Sequence, residues 1–214
     1  MRIEILREID FEQLTAMLRQ VPLMQPASDG FPIRVYEKAE IGIRILSPDE
    51  VNPSTFYLIA SNLQFQRKLR ENLLTKGIDT LNLEKALEIQ NGEEIWTLTP
   101  PIIEVTPRTV QYIPQDGEIN YSKTTELQIP TINDGCHRIK LAQDLGINVT
   151  CVFISGASRE YPFYAHPNSW DEVKIVSQVP ETKREKKLYM REDCYALYRN
   201  FGAIGCDKPR FTSK

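Results

Sequence analysis

Between two apolar stretches, the run Ile132-Asn133-Asp134-Gly135-Cys136-His137-Arg138 brings together a carboxylate, a glycine, a thiol, an imidazole and a guanidinium. Gly135 permits a sharp backbone turn and the close approach of a ligand. Where a helix follows such a turn, its first amides are unpaired and lie at the positive dipole end. They form an anion site that His137 and Arg138 would complete, Arg138 through a bidentate fork. Phosphate is the matching guest. The same helix start would favour the thiolate of Cys136 and make it a candidate nucleophile. Asp134 would act as a general base toward a hydroxyl, or as a ligand of a phosphate-bound Mg²⁺. The plainer reading of these residues is an Asx-type turn capping an ordinary helix, with Arg138 on the surface and Cys136 in the core.

The flanking patterns supply elements to hold this run. Leu127 to Ile132 is strand-like, Ile139, Leu141, Ala142 and Leu145 give a short helix ended by Gly146, and Val149 to Ile154 is an apolar, β-branched run of strand length. Upstream, Asp10 caps a short helix that presents Phe11, Leu14 and Leu18, and a Pro/Gly-punctuated connection covers 22–32. Alternation predicts strands at 33–36 and 41–46. Ser54 opens a long amphipathic helix over 54–76, stopped at Gly77, and a second helical segment covers 82–90. Three strand candidates follow at 94–98, 102–105 and 109–112, with Pro100-Pro101 confining the second to an edge or a first position. The polar stretch 114–126 reads as a loop, and 193–201 as a short helix ended by Gly202.

Composition bounds what these elements can be. Of 214 residues, 41% are hydrophobic and 26% charged, which is globular usage and excludes collagenous, coiled-coil and wholly disordered chains. The charged start and the absence of a long apolar run predict a soluble, cytoplasmic protein with no membrane partner. The four cysteines show neither a C-x-x-C pair nor a disulfide-scaffold spacing, which suits a reducing compartment. The two histidines, His137 and His166, are far apart, so a zinc site would need scattered ligands and no metal-ligating residue is assigned. The net charge of −3 is uneven: Lys183 to Lys214 holds nine Lys/Arg against four acids, and residues 1–182 carry 17 basic and 25 acidic side chains. A basic tail of this kind is either a solvated segment or a contact for nucleic-acid phosphates.

The string Asp134-Gly135-Cys136-His137-Arg138, followed by Ala142, Gly146 and the strand to Ile154, resembles the signature turn of the ParB/sulfiredoxin superfamily. Sulfiredoxins carry Gly-Cys-His-Arg, matching Gly135 to Arg138, with the cysteine as redox nucleophile and the His and Arg on ATP phosphates. The ADP-dependent free serine kinases carry Asp-Gly-His-His-Arg, matching all of these positions but Cys136. Pro100 to Val105 is similar to the Pro-Pro-Ile strand of these families, and the likeness covers roughly residues 41–155.

The resemblance implies an α+β fold: one ParB/sulfiredoxin-like nucleotide-binding domain over 41–155, a small mixed sheet flanked by helices, with an N-terminal extension over 1–40 and a C-terminal extension over 156–214. It implies an ATP- or ADP-dependent phosphotransferase with Mg²⁺, acting on an unidentified acceptor. Gly135, His137 and Arg138 would then bind the nucleotide, and Asp134 would orient Mg²⁺ or the acceptor. Glu50 becomes a candidate general base, because the loop leading into the long helix of the serine kinases supplies a catalytic glutamate. Plain helix capping also accounts for Asp49 and Glu50. Two alternatives stand beside the kinase: sulfinic-acid reduction at Cys136, and a non-catalytic, nucleotide-gated, DNA-associated module using the tail 183–214. The polar insertion at 106–128 is longer than in a minimal sulfiredoxin, and no helix-turn-helix pattern is visible.

Overall fold

A long strand-forming stretch precedes the signature turn and an apolar, β-branched run follows its helix, and the sheet they build is the frame on which the turn sits. A computed structural model of the chain describes residues 2–112, 120–163, 169–182 and 196–206. It is an α+β architecture with strands β1 (Ile3–Ile9), β2 (Glu40–Leu46), β3 (Tyr57–Ile59), β4 (Ala86–Asn91), β5 (Glu94–Leu98), β6 (Ile102–Tyr112), β7 (Asn120–Asp134), β8 (Val149–Ser155) and β9 (Lys174–Val176). The α-helices among the described residues are α1 (Phe11–Arg19), α2 (Ala60–Leu74) and α3 (Cys136–Leu145).

A four-stranded sheet has the order β2-β8-β6-β7, a three-stranded sheet the order β1-β4-β5, and β3 pairs with β9. In the larger sheet β6 runs parallel to β8 and antiparallel to β7, so it is central, with Pro101 just ahead of its first residue. Strand, turn, helix and strand follow one another as expected in β7, Gly135, α3 and β8.

The first forty residues contribute to the core. β1 pairs with β4, and Leu14 and Leu18 of α1 pack beside Ile102, Val152 and Ile154. Asp10 caps α1 in a full capping box with Gln13. Past residue 155, β9 pairs with β3, and the segment 196–206 straps both sheets. Asn200 donates to the Pro22 carbonyl (2.8 Å), Met24 to that of Tyr198 (2.8 Å) and Thr97 to that of Gly205 (2.8 Å).

Several local readings are corrected. Residues 54–59 are not helical: Tyr57-Leu58-Ile59 is β-forming and pairs in parallel with Lys174 to Val176, so α2 starts at Ala60 without a side-chain cap. Residues 86–90 form a strand, because Gly92, at φ 66°, turns β4 back onto β5 in a tight hairpin. Residues 35–38 form a turn that sinks Tyr36 into the core in place of a strand. β6 joins two of the predicted strands, and 120–126 belongs to β7, with 114–119 outside the described residues. In the tail, 193–195 lie outside the described residues, and a 3-10 turn over Phe201–Ile204 is closed by Gly205.

Candidate functional site

The turn at the head of α3 is built from three pieces: the end of β7, the Pro100-Pro101 segment, and the loop that leads into β3. Gly135 adopts φ 95°, and a side chain there would place its Cβ 2.8 Å from Pro101 Cβ. Only glycine meets both demands. Its carbonyl accepts from Arg138 and Ile139 N–H, which starts the helix, and Gly146 at φ 66° ends it.

Cys136 and His137 occupy the first turn, half-buried. Cys136 Sγ lies 4.0 Å from Ser54 Oγ. His137 Nε2 accepts from the Ile59 N–H at 3.3 Å, which fixes the ring against the start of α2 and identifies Nε2 as unprotonated there. The head of α3 therefore brings together a thiol, an imidazole and a hydroxyl.

Arg138 departs from expectation. The phosphate reading turns it toward an anion, yet it is 1% exposed, both terminal nitrogens donate inside the protein and its buried Nε has no hydrogen-bond partner among the described residues. Nη2 donates to Asp134 Oδ2 at 3.0 Å and Nη1 to the Thr99 carbonyl, tying β7, α3 and the Pro-Pro segment together. Asp134 is correspondingly engaged, although 29% of its side chain stays exposed. The surface position foreseen for Arg138 in the plain-turn reading is also overturned. Glu50 is remote in role: its Oε2 accepts from Ser47 N–H at 2.6 Å in the capping box of a 3-10 turn, the capping function foreseen for it.

A buried polar cluster adjoins the turn. Glu104 of β6 accepts two bonds from Arg199, Nε to Oε2 at 3.0 Å and Nη2 to Oε1 at 2.6 Å. Tyr36 Oη donates to the same carboxylate at 2.6 Å, and Asn133 Nδ2 lies 2.7 Å from both Tyr36 Oη and Glu104 Oε2. Burial and the Glu104 charge push the Tyr36 hydroxyl well above its usual pKa. Burial works against the Arg199 charge, but Glu104 and Tyr36 outweigh it and raise the guanidinium further. The sequence places Glu104 in a strand and Arg199 in a basic tail, with nothing in it to pair them. The available signal was a glutamate standing alone in the apolar run Pro101 to Val105. Of the nine tail cations Arg199 is the one within the described residues, and it faces inward.

The other described cysteines do not share the helix start. Burial pushes the Cys151 thiol up to about 12 against a smaller opposing effect of Arg138, and Cys206 sits 4.0 Å from Thr99 Oγ1. Among the described residues no group of three or more His, Cys, Asp or Glu is placed to hold a metal, and no helix is long and apolar enough to cross a membrane.

The chain matches the family model of the ParB CE domain over residues 13–174. The match covers β2 through β8, the signature turn and most of the first forty residues, and ends at the first residue of β9. No curated protein matches the chain, and no solved structure does.

Proposed function

The chain belongs to the ParB CE domain family, and on that premise we propose that it binds a nucleotide, ATP or ADP, with the phosphates at the head of α3. The observation that carries this reading is the turn itself: a glycine at φ 95° backed by Pro101, opening a ten-residue helix whose first side chains are Cys136 and His137, with Ser54 facing the thiol. Backbone amides at such a turn favour an anion, and the hydroxyl and imidazole add directional bonds. Arg138 serves by holding the turn in shape, through Asp134 and Thr99. Asp134, one of whose oxygens is taken by Arg138, would be the carboxylate of the turn toward an Mg²⁺ that neutralises the bound phosphates.

Phosphotransfer is the extension of this reading that needs a base. Glu50 is committed to the Ser47 amide, which leaves the exposed edge of Asp134 as the carboxylate of the turn. Calorimetry with ATP, ADP and CTP in the presence of Mg²⁺ tests binding, and release of labelled phosphate from ATP in the presence of candidate acceptors tests transfer. Binding that His137→Ala weakens in a folded protein supports the site. Silence from all three nucleotides overturns it. Cys136→Ser separates thiol chemistry from phosphate chemistry, because nucleotide binding survives that change and sulfinic-acid reduction does not.

A further inference from the structure

We propose that the outer edge of β7 is a docking site for an extended peptide carrying a basic side chain, added to the four-stranded sheet as a further strand. This inference is independent of the nucleotide site.

β7 is the last strand of its sheet, so one of its edges has no strand partner there. Among the described residues that edge is met at one place, where Asn52 forms a parallel bridge to Thr131: Asn52 N–H donates to the Pro130 carbonyl (2.9 Å), and Ile132 N–H donates to the Asn52 carbonyl (2.9 Å). These two bonds fix which groups face outward. The β6–β7 register is unbroken from Ile132 to Thr124, so strand alternation turns the N–H and C=O of Gln128, Glu126 and Thr124 to the same open edge. An unpaired row of this kind is a template for another chain, and proteins usually blunt it with proline or lysine. Here Pro130 and Lys123 flank the open stretch rather than interrupt it.

Alongside the edge runs a groove of about 640 Å³. Four consecutive residues of β7, Leu127 to Pro130, line it, which is the signature of a groove running along a strand edge and not over one face. Its opposite wall is Trp170, held in place by its Nε1–H donating to the Pro48 carbonyl at 3.0 Å. The charged residues that line it are Asp49 and Asp171, both exposed, with no lysine or arginine between them. Backbone groups to pair, apolar Leu127 and Ile129, and two carboxylates that no cation of the described residues meets, Asp49 accepting only from Gln143 Nε2 at 3.0 Å, match an extended, β-prone segment bearing Arg or Lys.

Fluorescence anisotropy with a fluorescein-labelled Thr-Val-Arg-Val-Thr-Val peptide and the full chain tests this. Saturable binding below about 1 mM is expected, lost when the amides of one peptide edge are N-methylated and kept when those of the other edge are. Asp171→Lys should weaken it by about fivefold or more, and a Glu-for-Arg peptide should lose the same margin on the parent protein. Gln128→Pro removes an outward N–H without touching the β6 ladder and should abolish binding. If that variant unfolds, the N-methylated peptides decide the matter on the unaltered chain. No saturation, equal binding of both N-methylated peptides, indifference to Asp171→Lys, or a dimer that Gln128→Pro dissociates would each overturn the proposal, the last by giving the edge to a second copy.

Discussion

Arg199 lies beyond the family-matched residues 13–174, yet its guanidinium clasps Glu104 of the central strand β6 at 2.6 and 3.0 Å, with the two side chains 0% and 2% exposed. A charge pair this deep is costly to break from one side, because the survivor stays buried without a partner. We expect Arg199→Met and Glu104→Leu each to lose about 3–5 kcal/mol in urea unfolding, and the double variant to recover much of it. Additive losses would show that the two side chains do not depend on each other.

Arg138 should behave as a structural residue. Its removal leaves Asp134 and the Thr99 carbonyl without their donor, at a cost of about 2–4 kcal/mol, and lysine restores the charge without the two-pronged reach. Arg138→Ala is therefore expected to lower the unfolding midpoint clearly, with Arg138→Lys between it and the parent. An unchanged midpoint, together with lost nucleotide affinity, would instead return Arg138 to the anion.

Gly135→Ala combines a left-handed backbone, worth about 1–2 kcal/mol, with a 2.8 Å encounter with Pro101. A loss of more than about 2 kcal/mol in thermal or urea unfolding is the expected outcome. Gly92→Ala, where nothing lies within 4 Å, should cost only the backbone part.

Alkaline pH should weaken the fold. Burial raises Cys151 to about 12 from 9.0, and burial with Glu104 raises Tyr36. Raised values mean that the folded state favours the protonated forms. Their contribution is complete below the unfolded pKa values and is lost as pH climbs, for Cys151 between 9.0 and about 12. Urea midpoints followed upward from neutral pH should fall in that window, and Cys151→Ala should flatten part of the slope. In the native protein at neutral pH, alkylation should reach Cys136 well before Cys151.

What the sequence made legible was local. Gly135 and Gly146 bracket α3, Asp10 caps α1, and the β-branched run into Ile154 is a buried strand, because each depends on neighbours a few positions away. The misread elements depend on distant partners: Tyr57 to Ile59 is extended because Lys174 to Val176 lies beside it, and Ala86 to Asn91 because β1 and β5 flank it. The site shows the same division. Gly135, Cys136 and His137 gather at one turn as their adjacency foretold, while the direction of Arg138 followed from the placement of Thr99, 39 residues away. Leu127 and Ile129 showed a strand, and only the sheet order revealed that its outer edge is open.

The strap over 196–206 also imposes an order of events on a chain made from one end. Each strand of the central sheet leaves the ribosome before Arg199 does, and until then Glu104 has no counter-charge and Thr97 and Pro22 lack their partners in the strap. The sheet can be laid down during synthesis, but it is locked only afterwards. Truncation ahead of residue 199 would thus leave an assembled but unlatched intermediate, a substrate for proteases rather than a smaller domain.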